Sequence, residues 1–413
     1  MNANRIKILI TDTAPLYPPL WGGPQRIWNL YGNLSQDKFD ITYVGMKFGM
    51  PKEQKYSLQR IQDNFVEILC NLPPHYPWWH AFEQKLFPNK SLDLFVYLCM
   101  RSDWQFKYIL NSEGADVIIC SHPWASRCIN KLRRQFFIYD AHNCEYLLMG
   151  QILKNHPLKS LIMSMVKRIE GDACRKSDLI LACSENERRD LAQIYKVDLD
   201  KIMVITNGAN PVDKISLSEK QMIRRSLGVL ESEKVVLFIG ANYKPNIDAA
   251  QCIVSVIAPK MEDSIFLIAG SVHDAFRGHN LPKNVRFLGQ LSKEKMHSAL
   301  STSDIAINPM FAGSGINIKM LDYMAYGLPI VTTECGFRGI DVQGLHPALI
   351  MPIDNFAEGI RKLMENPQLS MAMGEEGRLL VRQYYNWKLL SRRVQDAILN
   401  KQDTVGICKE AAA

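Results

Sequence analysis

Short apolar runs alternate along the chain with longer stretches whose hydrophobic residues recur every three or four positions. Runs of the first kind are typical of buried strands, and stretches of the second kind are typical of amphipathic helices. Their alternation predicts βαβ units with parallel sheets. The first half carries five predicted strands, IKILIT, DITYVG, DVIICS, QFFIYDA and DLILACS, and the second half carries six, KVVLFIG, SIFLIAG, NVRFLG, DIAINP, PIVTT and ALIMP.

Two such series predict two doubly wound α/β domains. Helical spacing lies between the strands, for example at residues 24–34 and 126–134. We place the boundary within residues 209–218, so that the first domain covers residues 1–209 and the second begins at residue 210. Ligands of such sheets bind at the carboxyl ends of the strands. We therefore expect a binding cleft at those ends, between the two domains.

Composition narrows the class of protein. With 413 residues, of which 47% are hydrophobic and 22% charged, the chain suits two or three folded domains and is neither disordered nor fibrous. Its formal net charge of +7 is spread thinly along the sequence. This excess suits phosphate-bearing ligands or an anionic membrane surface better than dedicated nucleic-acid binding. We expect no nucleic-acid partner.

The cysteines and the N-terminus bear on location. The ten cysteines include no CxxC pair and lie mostly in apolar stretches such as VIICS and LILACS. This is typical of reduced core thiols in a cytoplasmic protein, not of a disulfide framework or a zinc site. The run IKILI is too short for a signal-peptide core, and no run approaches the ~18 apolar residues of a membrane span. We expect a cytoplasmic protein.

The segment FAGSGINIKMLDYMAYGLPIVTT carries the clearest chemical signal, because it follows a predicted strand, passes a glycine-rich turn and opens a helix. Gly313 and Gly315 let the backbone approach a ligand, and a helix N-terminus offers N–H groups to a phosphate. Lys319 adds positive charge, and Asp322 presents an acceptor to two ribose hydroxyls. The segment predicts a nucleotide-diphosphate site. A plain strand-to-helix turn is the competing interpretation.

The same segment resembles the donor-binding motif of the GT-B glycosyltransferases of family four, the group-one class. The resemblance extends to KVVLFIGANYKPNIDAA, to NVRFLGQLSKEKMHSALSTSDIAINP, to the linker motif KIMVITNGAN and to PPLWGGPQRIWNLYGNL near the N-terminus. It implies the GT-B fold, in which two Rossmann-like domains flank a cleft. It also implies a second domain at residues 210–380 and a C-terminal helix at residues 381–400 that crosses back to the first domain.

The donor motif departs from the family pattern at two places. Asp322 stands where the second of two glutamates is common, and Ser314 stands where the first is common. A Gly-Ser-Gly start with a downstream lysine and Leu-Asp resembles one branch of the family. Asn242 and Lys244 stand in place of the usual arginine and lysine. The resemblance implies these donor-binding residues: Gly313, Ser314, Gly315, Lys319, Asp322, Lys244, Asn242 and Asn207.

Two histidines of the first domain follow predicted strands, His122 in IICSHPWAS and His142 in IYDAHNCEY. Strand-end placement and the resemblance make both candidate catalytic contacts of the transferred sugar, with His142 nearer the reacting carbon. A structural role for each histidine is the equally weighted alternative. Gly22, Gly23 and Arg26 are the candidate loop that approaches the acceptor or the donor phosphates, although Arg26 is also interpretable as a surface residue.

Residues 71–104 are an insertion rich in aromatic residues, including LPPHYPWWHAFEQKLF. One interpretation is a helical hairpin that packs on its own domain. The other is an acceptor-side or membrane-surface element, since aromatic rings beside basic residues suit a bilayer interface.

The leading hypothesis is a metal-independent, retaining glycosyltransferase that moves a sugar from a nucleotide-diphosphate sugar to a glycan or lipid-linked acceptor in cell-surface polysaccharide synthesis. It needs no cofactor and no protein nucleophile, and it allows peripheral contact with an anionic membrane. The alternative is a catalytically inactive scaffold of GT-B shape in a glycan-assembly complex, suggested by Ser314 and by the altered loop at Asn242. The nucleotide base, the sugar, the acceptor, the linkage and the oligomeric state are left open.

Overall fold

The chain forms two compact units in the computed structural model. The first unit comprises Met1–Thr206 and Lys388–Ala413, and the second comprises Asn207–Trp387. The first unit was predicted to end at residue 209, and it ends three residues earlier, at Thr206. The second unit was predicted to end at residue 380, and it ends at Trp387. The structure describes the following residues: 5–51, 53–72, 76–87, 94–112, 114–132, 135–226, 228–230, 232–312 and 316–410.

The first unit is built on an eight-stranded sheet with strands β1 Ile6–Thr11, β2 Phe39–Lys47, β3 Tyr56–Gln62, β4 Phe65–Asn71, β5 Val117–Ser121, β6 Phe136–Ala141, β7 Leu179–Ala182 and β8 Ile202–Val204. Their order is β3-β4-β2-β1-β5-β6-β7-β8. Only the edge strand β3 runs antiparallel to its neighbour. The parallel strands follow the doubly wound order, which reverses direction between β1 and β5.

All five strands predicted for this unit are present, and three further strands were missed. Strand β3 is mostly exposed, so it lacks an apolar run. Strand β4 is interrupted by Glu67, whose buried carboxylate accepts hydrogen bonds from backbone N–H groups. Strand β8 has only three residues. A buried parallel strand reads as a continuous apolar run; β3 and β4 do not meet that description, and the apolar run of β8 is too short to stand out.

The helices of the first unit are α1 Gly22–Tyr31, α2 Tyr76–Leu86, α3 Leu94–Ser102, α4 Trp104–Ser112, α5 Glu145–Ile152, α6 Lys159–Lys176 and α7 Glu185–Tyr195. The helix expected at residues 126–134 is wrong, because Trp124–Arg127 forms a 3-10 turn and residues 128–132 are not helical. The N–H of Asn130 donates to the side chain of Asn111, and that of Leu132 donates to Gln135. Side chains thus replace the carbonyls that a helix needs.

The aromatic insertion contains α2 and α3. Phe87 and Tyr97 are buried, as the hairpin interpretation predicts, whereas Trp78 and Phe82 stay exposed on α2 and stack with ring centroids 6.1 Å apart. The Trp79 side chain and residues 73–75 and 88–93 lie outside the described part of the chain. The insertion therefore packs on its own unit and also presents aromatic surface.

The second unit is built on a six-stranded sheet with strands β9 Lys234–Ile239, β10 Ser264–Ala269, β11 Val285–Gly289, β12 Ile305–Asn308, β13 Ile330–Thr332 and β14 Ala348–Ile350. These are the six predicted strands. They pair in parallel in the order β11-β10-β9-β12-β13-β14. This is the doubly wound order, with its reversal between β9 and β12.

The helices of the second unit are α8 Leu217–Ser226, α9 Lys244–Cys252, α10 Lys293–Thr302, α11 Ile318–Ala325, α12 Glu334–Phe337, α13 Phe356–Glu365 and α14 Pro367–Gln383. The last helix, α15 Trp387–Glu410, returns to the first unit. Its Ser391 Oγ donates to the Leu30 carbonyl of α1 at 2.6 Å, and Gln395 Oε1 accepts from the Ser35 N–H at 3.1 Å.

Both sheets are covered by apolar side chains on two faces; every residue of β5, β6 and β10 is buried. Eight of the nine cysteines whose side chains are described are buried, and none of the nine forms a disulfide. Within the described residues, no helix combines the length and the apolar character needed to cross a membrane.

Candidate active site

The two histidines lie together at the carboxyl edge of the first sheet. Strands β5 and β6 are parallel neighbours, so His122 and His142, which follow them, emerge at the same edge. Their ring centroids are 4.1 Å apart. Strand β1 ends at the same edge, and Asp12 follows it. The structure thus places both histidines where the sequence predicts them, beside the point at which the strand order reverses.

His142 is a neutral hydrogen-bonding group. Its Nε2 lies 2.7 Å from Ser121 Oγ and 3.6 Å from Asp140 Oδ2. Burial lowers the pKa of His142 to about 4, and the neighbouring His122 acts in the same direction. An uncharged imidazole at neutral pH accepts or donates a hydrogen bond without attracting a phosphate.

His122 is held between two carboxylates. Its Nδ1 lies 3.1 Å from Asp12 Oδ1, and its Nε2 lies 4.0 Å from Glu145 Oε1. Its backbone φ is +60°, a region that residues other than glycine seldom adopt and that occurs at functional sites. The sequence prediction missed Asp12 and Glu145. Their positions directly after the strand IKILIT and three residues after His142 are the signals that point to them.

Arg26 lies in the core, which corrects the expectation of a surface residue and places its guanidinium on a protein carboxylate where a phosphate or acceptor contact was expected. It is 1% exposed. Its Nε and Nη2 donate to Asp140 Oδ1 at 3.0 and 2.7 Å, and its Nη1 donates to the Thr206 carbonyl. Burial opposes the ionisation of Asp140, but Arg26 and His142 together outweigh it and hold the pKa of Asp140 well below its usual range. Tyr31 donates to the other oxygen, Asp140 Oδ2, at 2.8 Å.

Gly23, in contrast, lies against the histidine pair. A Cβ atom at Gly23 would lie 3.7 Å from His142 Nδ1 and 3.8 Å from His122 Cε1. Helix α1 begins with Gly22, and no side chain caps this end. The glycine pair therefore brings uncapped backbone N–H groups next to the histidines, while Arg26, one turn later, points into the core.

In the second unit, α11 carries Lys319 and Asp322 three residues apart, on nearly one face. Lys319 Nζ donates to Asn246 Oδ1 at 2.7 Å and lies 4.4 Å from the centroid of the Phe238 ring. Burial lowers the pKa of Lys319 to about 7. No acidic side chain of the described residues pairs with it. An ammonium with this environment gains much from an anionic ligand.

Asp322 is a half-buried carboxylate. Burial raises its pKa to about 7. No group within the described ranges donates a hydrogen bond to it. It is thus an open acceptor, as the sequence predicts for a ribose contact. Gly313, Ser314 and Gly315 lie outside the described residues.

The remaining predicted donor residues lie near the amino end of α9 or at the start of the unit. Lys244 is exposed and pairs with Asp248 one turn further along α9. The Asn242 N–H donates to Ser271 Oγ at 2.9 Å. Asn207 is half-buried and begins the second unit. Asn246, which holds Lys319, belongs to the same turn of α9 and was not predicted.

Two family models match consecutive parts of the chain. The model described as Glycosyltransferase Family 4 matches residues 20–212, and the model described as Glycosyl transferases group 1 matches residues 233–366.

Curated relatives are also glycosyltransferases. An uncharacterized glycosyltransferase of Methanocaldococcus jannaschii is 27% identical over 93% of this chain and 96% of the relative. Another from the same organism is 25% identical over 55% of this chain, and the match spans 60% of that relative.

Solved structures show the same fold. Sucrose-phosphate synthase of Thermosynechococcus elongatus superposes with a TM-score of 0.74 at 16% identity, over 97% of this chain and 100% of that one. HepE of Anabaena, in complex with UDP and glucose, gives a TM-score of 0.68 at 14% identity, over 95% of this chain and 99% of that one. With two doubly wound units, the chain is a glycosyltransferase of GT-B fold. It belongs to the group-1, family-4-like glycosyltransferases.

Proposed function

We propose that the protein transfers a sugar from a nucleotide-diphosphate sugar to a glycan or lipid-linked acceptor, with retention of configuration, in cell-surface polysaccharide synthesis. The observation that supports this best is Lys319, a half-buried ammonium without an acidic partner among the described residues, three residues before the open carboxylate Asp322. The complex of HepE with UDP and glucose supports a nucleotide sugar as the donor class.

The chemistry follows from the charge that develops on the leaving group. As the bond between the sugar carbon and the diphosphate breaks, negative charge grows on the diphosphate, and Lys319 stabilises it. Asp322 accepts hydrogen bonds from the ribose hydroxyls. His142 and His122 contact the sugar, and a donor phosphate oxygen takes the acceptor proton in same-face attack. No protein nucleophile and no metal take part in this scheme. A cytoplasmic location with peripheral membrane contact is part of the same proposal.

The affinity for a nucleotide sugar is expected to peak near pH 7. Above that pH the free protein loses the Lys319 proton, so the dissociation constant rises by about tenfold per pH unit. Below it Asp322 becomes protonated and affinity falls more gently, because a neutral carboxyl still accepts a hydrogen bond. Calorimetric titration with UDP-glucose or GDP-mannose measures this, since a doubly esterified diphosphate does not titrate in this range.

Two variants separate the limbs of that profile. Lys319→Met should abolish the loss of affinity above pH 7, and Asp322→Asn should abolish the loss of affinity below pH 7. A wild-type affinity that stays flat from pH 5 to 9 would show that neither group contacts the ligand.

The proposal as a whole is tested by nucleotide release from a panel of UDP-, GDP-, dTDP- and CMP-sugars, with and without lipid-linked and oligosaccharide acceptors. Turnover of one donor with retained configuration in the product supports it. Donor binding without hydrolysis or transfer across the panel would favour the scaffold. Failure to bind any member of the panel would refute a nucleotide-sugar site.

A further inference from the structure

A neutral side chain receives the Lys319 ammonium. Lys319 Nζ donates to Asn246 Oδ1 at 2.7 Å and lies 4.4 Å from the centroid of the Phe238 ring. An ammonium has three N–H donors and no acceptor, and within the described ranges no second acceptor is bonded to it. Both of these contacts are uncharged. The described residues thus orient this cation without a counter-charge.

The lysine at the start of α9 is held differently. Lys244 pairs with Asp248, one turn further along the same helix, and its side chain is 61% exposed. A carboxylate therefore compensates the charge of Lys244, whereas an amide holds Lys319. The first turn of α9 thus carries a compensated lysine and, at Asn246, the neutral acceptor of an uncompensated one.

The Asn246 amide has one orientation that satisfies its neighbours. Its Nδ2 donates to the Ala241 carbonyl at 3.1 Å, while its Oδ1 accepts from Lys319. A carbonyl oxygen only accepts and an ammonium only donates, so exchanging the amide nitrogen and oxygen would break both hydrogen bonds. Asn246 is 9% exposed, and its own N–H donates to the Tyr243 carbonyl at 2.8 Å. The amide oxygen is therefore held towards Lys319.

The loop that precedes Asn246 is tightly packed. A Cβ atom at Gly240 would lie 3.1 Å from Asn246 Cβ, so a larger residue there would crowd Asn246. The Gly240 N–H donates to the Ala269 carbonyl at 2.9 Å, and the Gly240 carbonyl accepts from the Val272 N–H at 3.1 Å. Gly270, with a φ of +104°, packs directly against the same carbonyl. The ends of β9 and β10 thus fix the position of Asn246.

The ionisable groups of the surrounding elements leave Lys319 uncompensated. Burial lowers the pKa of Lys319 to about 7, as expected for a cation that no nearby charge stabilises. Besides Lys319, the ionisable side chains on α9, α11 and β9 are Lys244, Asp248, Cys252, Asp322, Tyr323 and Lys234. None of them forms an ion pair or a hydrogen bond with Lys319 in the described part of the chain.

We propose that Asn246 is a positioning residue for the donor: its amide directs the Lys319 ammonium and, being neutral, leaves the positive charge available to the anionic part of the ligand. This rests on the proposed function, which takes that ligand as a nucleotide-diphosphate sugar. Asn246→Asp retains an acceptor of the same size and adds a counter-charge. Asn246→Leu retains a similar volume and removes the acceptor. The two substitutions therefore separate the effect of charge from the effect of the hydrogen bond.

The first measurement needs no donor. Acetic anhydride acylates only the neutral amine, so the pH at which half of Lys319 is reactive, followed by mass spectrometry of its peptide, reports its protonation. This pH should be at least about one unit higher in Asn246→Asp, because an adjacent carboxylate stabilises the ammonium. It should be lower in Asn246→Leu, because the hydrogen bond to the charged form is lost. A purely structural role of Asn246 predicts a change in neither variant.

The second measurement is calorimetric titration with UDP-glucose and GDP-mannose. At pH 7 the dissociation constant of Asn246→Asp should be at least about tenfold higher than that of the wild type, although more of its Lys319 is protonated. The added carboxylate compensates the ammonium and repels the diphosphate. The loss of affinity above pH 7 should begin at a higher pH in Asn246→Asp and at a lower pH in Asn246→Leu.

Asn366→Asp is the matched control. Asn366 is exposed, and its Oδ1 accepts the Leu369 N–H at 3.0 Å at the start of α14, as an aspartate also would. The control should bind the donor as the wild type does. Equal losses in the two aspartate variants, or an affinity of Asn246→Asp that equals or exceeds the wild-type value, would overturn the proposal. Where one variant at position 246 does not fold, the other still decides, since each has its own expected direction.

Failure of the proposed function has a different signature. Absence of nucleotide-sugar binding in the wild type rejects the donor site. An unchanged reactive pH of Lys319 in both variants rejects the role of Asn246, even where the wild type binds the donor.

Discussion

Arg26→Ala is expected to lower the free energy of unfolding of the first unit by about 3–5 kcal/mol, because it leaves the Asp140 carboxylate buried without its counter-charge. Both groups are almost fully buried, and the guanidinium donates twice to Asp140. Urea unfolding followed by tryptophan fluorescence measures the change. All seven tryptophans except Trp387 precede residue 207, so this signal reports mainly on the first unit.

Arg5→Ala is the matched control. Arg5 and Asp40 also form an ion pair, at 2.9 Å, but their side chains are 40% and 49% exposed. Exposed pairs contribute up to about 1 kcal/mol, so the control should unfold nearly as the wild type does. Similar losses for the two variants would contradict the structural role assigned to Arg26.

Lowering the pH should reduce the difference in unfolding free energy between Arg26→Ala and the wild type. The pKa of Asp140 lies well below its usual range in the folded wild type, so its stabilising contribution persists until the pH falls below the ordinary carboxyl pKa. In the variant, burial without Arg26 raises the pKa of Asp140, and protonation relieves the buried charge. The gap in unfolding free energy should therefore shrink as the pH is lowered from 7 to 5.

Lys319→Met is expected to lower kcat/KM for sugar transfer by about 10²–10³, because in the proposed reaction it removes the positive charge that stabilises the departing diphosphate. Methionine retains an apolar stem over the Phe238 ring, where Lys319 Nζ now lies 4.4 Å from the centroid. Steady-state nucleotide release with the donor identified by the panel measures the effect.

The fold should survive this substitution. Because burial lowers the pKa of Lys319 to about 7, its charged form is disfavoured in the folded state, and its cost to stability is relieved as the pH rises from 7 towards 10.5. Methionine removes that cost, so the melting temperature at pH 7 should not fall. Lys293→Met, at an exposed position that begins α10, should retain full activity. A kcat/KM for Lys319→Met within threefold of the wild-type value would show that Lys319 does not stabilise the leaving group.

Much of the fold is predictable from local pattern. All eleven predicted strands are present, because strands buried on both faces of a parallel sheet require continuous apolar runs. The strands that were missed lack that signal: β3 is an exposed edge, and β4 contains the buried carboxylate Glu67. The false helix at residues 126–134 has helical spacing, but the N–H of Asn130 donates to Asn111, 19 residues earlier, and the N–H of Leu132 donates to the Gln135 side chain.

The candidate site, like the fold, was predicted only in part from the sequence. Lys319 and Asp322 were predicted as a pair because one turn of one helix places them together. The hydrogen-bond partner of Lys319 was not predicted. Asn246 lies 73 residues before Lys319 and reaches it only because α9 follows β9 and α11 follows the adjacent strand β12. Arg26 shows the opposite error. Its place in a glycine-rich loop suggested a ligand contact, whereas Asp140, 114 residues away, draws it into the core.

The amino-acid sequence by itself therefore determines the two doubly wound units, eleven of their strands, the placing of Lys319 and Asp322 on one turn of a helix, and the strand ends that carry His122 and His142. These features follow from periodicity and spacing over a few residues. The buried ion pair, the carboxylates around His122 and the partner of Lys319 are decided only by the tertiary structure. Each of them depends on which strands become neighbours in a sheet, and that adjacency joins residues far apart in the chain.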